Sequence, residues 1–120
     1  MAIQKNIKII LSPFNSNIEI VDIMAIQVHV PYSENEVTVL INPNITEYQE
    51  KQDKPGIKIR QFTVTESTEQ TKKLKFDFKD NNIHKVKINE KTFEIKLMTI
   101  DKEKIQGREF PYFEFFINEI

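Results

Sequence analysis

Residues 74–97 read Leu74-Lys75-Phe76-Asp77-Phe78-Lys79-Asp80-Asn81-Asn82-Ile83-His84-Lys85-Val86-Lys87-Ile88-Asn89-Glu90-Lys91-Thr92-Phe93-Glu94-Ile95-Lys96-Leu97. Apolar side chains return at every second position: Leu74, Phe76 and Phe78, then Val86 and Ile88, then Phe93, Ile95 and Leu97. A period of two places alternate side chains on opposite faces of a strand, so each run has one face to bury and one to leave in water. Between the runs stand Asp80-Asn81-Asn82 and Asn89-Glu90-Lys91, residues whose short polar side chains support tight turns and tolerate positive φ. The stretch predicts three antiparallel strands in succession, with Lys75, Lys79, Lys85, Lys87 and Lys96 opposite the apolar face.

The same alternation extends outward. Ile7, Ile9 and Leu11 share a face in a first strand that Ser12, Pro13 and Asn15 terminate. From Ile18 to Val30 both faces are apolar, which gives one long strand or two meeting near Asp22. Val37, Val39 and Ile41 mark a strand ending at Asn42-Pro43. Asn44 to Lys54 is the one stretch with helical signals: Asn44 as a cap, Glu47 three residues on, Ile45 and Tyr48 on one face, and Pro55-Gly56 as a stop. Ile57 and Ile59 fall on odd positions but Phe62 and Val64 on even ones, so a bulge or a crossing between sheets is expected at Arg60-Gln61. Residues 66–73 carry no apolar side chain beyond threonine methyls and read as an exposed loop. Ile100 to Arg108 forms a further excursion with Gly107 as its turn residue, before the chain ends in the aromatic run Phe110-Pro111-Tyr112-Phe113-Glu114-Phe115-Phe116-Ile117-Asn118-Glu119-Ile120.

Composition supports the same class. The 120 residues include 19 Ile, 7 Val and 8 Thr against 2 Ala and 4 Leu. β-Branched side chains fit a pleated surface better than a helix. The expectation is an all-β fold: a single domain, 1–120, built as an antiparallel two-layer β-sandwich of about eight strands, with at most one short helix near 44–54. The alternation does not decide between jelly-roll and immunoglobulin-like topology. There is no internal repeat and no linker rich in Gly or Ser.

Several function classes lack their residues. With no cysteine, neither a disulfide, a thiolate metal site nor a cysteine nucleophile is available. Two glycines, Gly56 and Gly107, leave no phosphate-cradling loop. Ser12, Ser16, Ser33 and Ser67 lie in expected loops without a glycine-rich elbow. The two histidines, His29 and His84, sit in no ligand spacing and read as surface or strand-edge residues. Asp77 with Asp80-Asn81-Asn82 has calcium-type donors, but the same residues are ordinary turn formers. No metal site, cofactor or catalytic set is expected, and the chain does not read as an enzyme.

Two surfaces remain. Charge is uneven: residues 1–50 hold two lysines against six acids, and residues 51–104 hold thirteen lysines and Arg60 against nine acids. The outward lysines, Lys75, Lys79, Lys85, Lys87 and Lys96, suit an anionic partner, although lysine also guards exposed sheets against edge pairing. Only two arginines and no interleaved aromatics argue against nucleic acid. The last strand is apolar on both faces: Phe113, Phe115 and Ile117 on one, Phe110, Tyr112 and Phe116 on the other. Either a loop covers its outer side or a second subunit does. Phe110, Tyr112, Phe113, Phe116 and Ile120 are the candidate partner interface. The expected function is a non-enzymatic interaction or structural module, a subunit of a homo-oligomer or larger particle such as a virion, tail or scaffold. The alternative is a sandwich that binds calcium, glycan or an anionic surface through end loops or the lysine face. No signal-peptide core or apolar run of membrane-spanning length is present, so a cytoplasmic or particle-assembled protein is expected.

Overall fold

The computed structural model describes residues 2–15, 17–29, 32–55, 57–64 and 70–120, with the backbone alone for much of 46–64. Among the described residues ten strands follow in order: β1 (Gln4–Ile10), β2 (Ile18–Val21), β3 (Met24–His29), β4 (Glu36–Pro43), β5 (Ile45–Lys54), β6 (Ile57–Val64), β7 (Lys72–Asp77), β8 (Ile83–Ile88), β9 (Lys91–Ile105) and β10 (Arg108–Glu119). They form two antiparallel four-stranded sheets, β1-β10-β9-β8 and β2-β3-β4-β7, and a separate hairpin, β5-β6. With that hairpin set aside, the chain passes from neighbour to neighbour, crossing between layers at residues 11–17 and 78–82. The connectivity is thus a meander, without the Greek-key crossover of an immunoglobulin or jelly-roll sandwich.

The alternating residues meet between the sheets. Ile7, Ile9, Val86, Ile88, Phe93, Ile95, Leu97, Phe113, Phe115 and Ile117 from one layer pack against Val21, Met24, Ile26, Val28, Val37, Val39, Ile41 and Phe76 from the other. The Phe76 and Phe115 rings meet edge-on across the layers at 5.4 Å. Burying one such side chain contributes about 1.5–3 kcal/mol, so this layer of apolar side chains is the main source of stability. A smaller cluster lies on the outer side of the second sheet, where Ile18, Ile20 and Ala25 are covered by Ile45 at the start of β5.

Several expectations change. The helix signals over Asn44–Lys54 do not produce a helix: the segment is β5, paired antiparallel with β6. Asn44 has φ 58°, a left-handed turn conformation incompatible with entering a helix from its cap, and it sends the chain back as a strand. Pairing runs unbroken through Arg60 and Gln61, and the register shifts fall on the partner strand, between Ile45 and Glu47 and between Gln52 and Lys54. Residues 66–69 of the expected loop lie outside the described residues, and Lys72-Lys73 already belong to β7. Residues 18–29 resolve as two strands around a turn at Asp22-Ile23.

Residues 74–97 depart furthest from the expected pairing. β8 and β9 are a hairpin as expected, but β7 pairs with β4 in the other sheet. Alternation reports which face is buried and carries no information about the neighbour along the sheet. Five residues, 78–82, carry the chain between layers. The Asp77 carboxylate shapes this crossing by accepting the backbone N–H groups of Lys79, Asp80 and Asn81 at 2.9, 2.8 and 3.2 Å.

One end of the sandwich is latched by residues in left-handed conformation. Asp22, Asn44 and Asn89 have φ of 53°, 58° and 57°. Asn89 Nδ2 donates to Asn44 Oδ1 at 2.7 Å, and Lys91 Nζ to Asp22 Oδ2 at 2.8 Å, each joining the first sheet to the second. At the opposite end β9 and β10 run past both neighbours into a two-stranded arm closed by Gln106 (φ 51°) and Gly107 (φ 79°), the paired positive angles of a type I′ turn.

Candidate interaction surface

Directly paired residues share a face of a sheet, so the register defines the outer surface of the first sheet. One row across it reads Asn6, Phe116, Lys96, Ile83, and the next Gln4, Asn118, Glu94, Lys85. Further along β10 lie Glu114, opposite Lys8 and Thr99, and Tyr112, opposite Ile10 and Asp101. The register shift between Glu114 and Phe115 leaves Met98 unpaired, and its side chain is 47% exposed. Ile83 is 44% exposed and Phe116 half-buried. Phe116, Met98 and Ile83 therefore form an apolar set on one flat face, with Lys96 between the first and the last.

The candidate interface residues separate into three groups. Phe113 is fully buried in the core, with Tyr32 edge-on to its ring at 5.4 Å, so it is no part of a contact surface. Its place one residue after Tyr112 on a pleated strand points it inward. Phe110 and Tyr112 do face outward but are largely covered by their own chain. Phe14 of the β1–β2 loop packs edge-on against Phe110 at 6.2 Å, with Arg108 over the same ring at 5.6 Å. Lys8 Nζ lies 4.3 Å from the Tyr112 ring centroid and donates to Glu103 Oε1 at 2.9 Å; this hydrogen bond raises the Lys8 pKa above the ordinary lysine value. Phe116 and Ile120 remain exposed in part, Ile120 with its amide held by the Thr92 carbonyl at 2.8 Å.

The five lysines are likewise divided. Lys85, Lys87 and Lys96 lie on the outer face of the first sheet, Lys75 on β7 of the second, and Lys79 in the crossing between them. β7 and β8 are the edge strands on the same side of the sandwich, but Lys75 and the pair Lys85 and Lys87 point to its two opposite outer faces, and Lys96 lies one strand in, on β9. Two side-chain clasps bridge the seam between β7 and β8. His84 Nε2 donates to the Lys75 carbonyl at 2.6 Å while its ring sits edge-on to Phe76 at 4.6 Å, and Lys72 Nζ donates to the Lys87 carbonyl at 2.5 Å.

Shallow grooves open at the end carrying the loops. One, of about 580 Å³, is lined by Asn35, Glu36, Asp77, Phe78, Lys79 and Asp80. Among the described residues no three His, Asp or Glu side chains group as metal ligands. Asp77 points its oxygens into its own turn, and its pKa is lowered chiefly by the Asp80 backbone N–H, then by Asn81 and Lys79. Tyr32 lines two smaller grooves, Tyr112 stands on the sheet face, and the Tyr48 side chain lies outside the described residues.

The Asn44–Asn89 bond, the His84 contact across the seam and the exposure of Met98 are not anticipated from the sequence, although it places Asn89 in a turn and Asn44 as a cap. The asparagines carried a usable signal, each closing an alternating run where a left-handed turn residue fits. His84 and Met98 carried none, since one depends on which strand lies across the seam and the other on a bulge. No known family model matches the chain, and neither a curated protein nor a solved structure does.

Proposed function

We propose that this chain is a non-enzymatic β-sandwich module that works through protein contacts, associating with copies of itself as a subunit of a larger particle such as a virion, tail or scaffold. The observation that supports the reading is the outer face of the first sheet, where Phe116, Met98 and Ile83 stand partly in water although the core beneath is already filled by Phe113, Phe115 and Ile117. The four strands, of 7, 12, 15 and 6 residues, at about 4.8 Å spacing and about 3.3 Å rise give a face of about 630 Å², somewhat below the ~800 Å² per partner of a standard interface. The face carries Glu94 and Glu114 together with Lys96, so two copies can meet with opposite charges opposed. Tyr32 and Tyr112 do not converge on one groove, which favours a flat contact over a ligand pocket. Light scattering on the wild-type chain and Phe116→Asp tests the proposal. A mass above 14.2 kDa that falls to the monomer in the variant supports it. A wild type that is monomeric at every concentration removes it.

A further inference from the structure

We infer that two copies meet through the outer face of the first sheet about a two-fold axis running from Met98 to Phe116, with Lys96 of each copy over Glu114 of the other and the strands crossing near a right angle, a geometry that rests on the self-association proposed above. Four side chains define it. On β9 stand Lys96 and Met98; beside them on β10 stand Phe116, which pairs with Lys96, and Glu114, next to the bulge that holds Met98. Neighbouring strands lie about 4.8 Å apart, and side chains of one face recur about 6.7 Å apart along a strand, so the four occupy the corners of a small rectangle with sides of similar length. One diagonal is apolar, Met98 to Phe116. The other is charged, Lys96 to Glu114.

A two-fold axis lying between two facing sheets reflects the pattern of one face across itself, so residue i meets j and j meets i. Placed along the apolar diagonal, the axis brings Met98 and Phe116 against their own copies and exchanges the charged corners. It also turns a step along a strand into a step across strands. Glu94, two residues back from Lys96, then faces the partner's Lys8, because Lys8 lies across from Glu114. Ile83, across from Lys96, faces the partner's Tyr112, two residues along from Glu114. Asn6, across from Phe116, faces the partner's Asn118. Apolar groups thus meet apolar groups and amide meets amide, and each opposite-charge pair occurs twice. Strands crossing near a right angle are one of the two ordinary ways in which sheets pack.

Other settings of the axis do worse. Across the strands, it lays each strand over its own copy and brings Lys96 toward Lys96 and Glu94 toward Asp101. Along the strands, between β9 and β10, it sets Lys96 on Phe116 and Glu94 on Asn118, so no opposite charges meet. The charges on the favoured axis are available: among the described residues Glu94, Lys96 and Glu114 make no ion pair within the chain. Lys8 donates to Glu103 at 2.9 Å, and an ammonium has three N–H groups to give.

The test is charge reversal, read by sedimentation equilibrium on the full chain. Lys96→Glu and Glu114→Lys each set like charges over one another at both symmetric contacts, and each should weaken self-association about tenfold or more. An equal mixture of the two variants, or both substitutions in one chain, opposes unlike charges again and should recover wild-type association. If a reversal does not fold, Lys96→Gln and Glu114→Gln serve, with the double variant expected to lose no more than either single one. Reversals without effect, or losses that neither the mixture nor the double variant recovers, overturn this geometry; the proposed function still stands if Phe116→Asp disperses the copies. A wild type monomeric at every concentration overturns both.

Discussion

Asn44 offers the sharpest test of how the two sheets are held together. Its residue is only 4% exposed, its φ is 58°, and its Oδ1 accepts the Asn89 amide at 2.7 Å. Two costs can be separated by substitution. Asn44→Gly keeps the left-handed backbone accessible but removes the side-chain acceptor of the Asn89 amide. A lost hydrogen bond of this kind costs about 1–2 kcal/mol. Asn44→Ala suffers the same loss and adds the strain of a Cβ in the left-handed region, about 1 kcal/mol beyond glycine. The expected order is wild type, then glycine lower by about 1–2 kcal/mol, then alanine lower by about 2–3 kcal/mol. Urea unfolding followed by far-ultraviolet circular dichroism reads it, with tyrosine fluorescence as a second probe because the chain has no tryptophan. Glycine and alanine variants of equal stability would refute the role assigned to the backbone angle. If both matched wild type, the Asn44–Asn89 contact would not be a latch at all.

Other outcomes follow from the same geometry. Phe113→Ala should cost about 3–5 kcal/mol in urea unfolding, as a fully buried ring does; a loss under 1 kcal/mol would return Phe113 to the surface. Replacing His84 by Ala removes the clasp to Lys75 and the ring contact with Phe76, for an expected loss of about 1–2 kcal/mol, while His29→Ala should be neutral; equal effects would deny the seam its bridge. The Asp77 carboxylate is held below its ordinary pKa by the backbone N–H groups of its turn. Its stabilising contribution is therefore complete above the unfolded value of about 4 and lost as pH falls through the lowered folded value. Asp77→Asn should flatten the decline of the urea midpoint below pH 4, and an unaltered decline would locate the acid sensitivity elsewhere.

The layer structure was legible in the sequence because a period of two reports burial directly. Phe93, Ile95 and Leu97, or Phe113, Phe115 and Ile117, have one buried face whatever strand lies beside them. Neighbours were not legible. Leu74, Phe76 and Phe78 alternate as they would in a hairpin with β8, but Leu74 and Phe76 pair with β4 in the other sheet and Phe78 stands exposed in the Asp77-organised crossing. The helical reading of Asn44–Lys54 failed for a related reason: an asparagine at a segment boundary serves as a cap or as a left-handed turn residue, and the choice rests on the tertiary contact with Asn89. For the candidate interface, outward parity correctly gave Phe110, Tyr112 and Phe116, yet it could not show that Phe14, Arg108 and Lys8 cover the first two. The lysines were visible as charge, whereas their division between two sheets required the fold.

The account rests on the outer face of the first sheet being a contact between copies. Size-exclusion chromatography with light scattering, on wild type and Phe116→Asp over a wide concentration range, tests that most directly. A stable mass above 14.2 kDa for wild type, with a folded 14.2 kDa monomer for the variant, is the predicted result. A monomeric wild type throughout, or an oligomer untouched by Phe116→Asp, would contradict it.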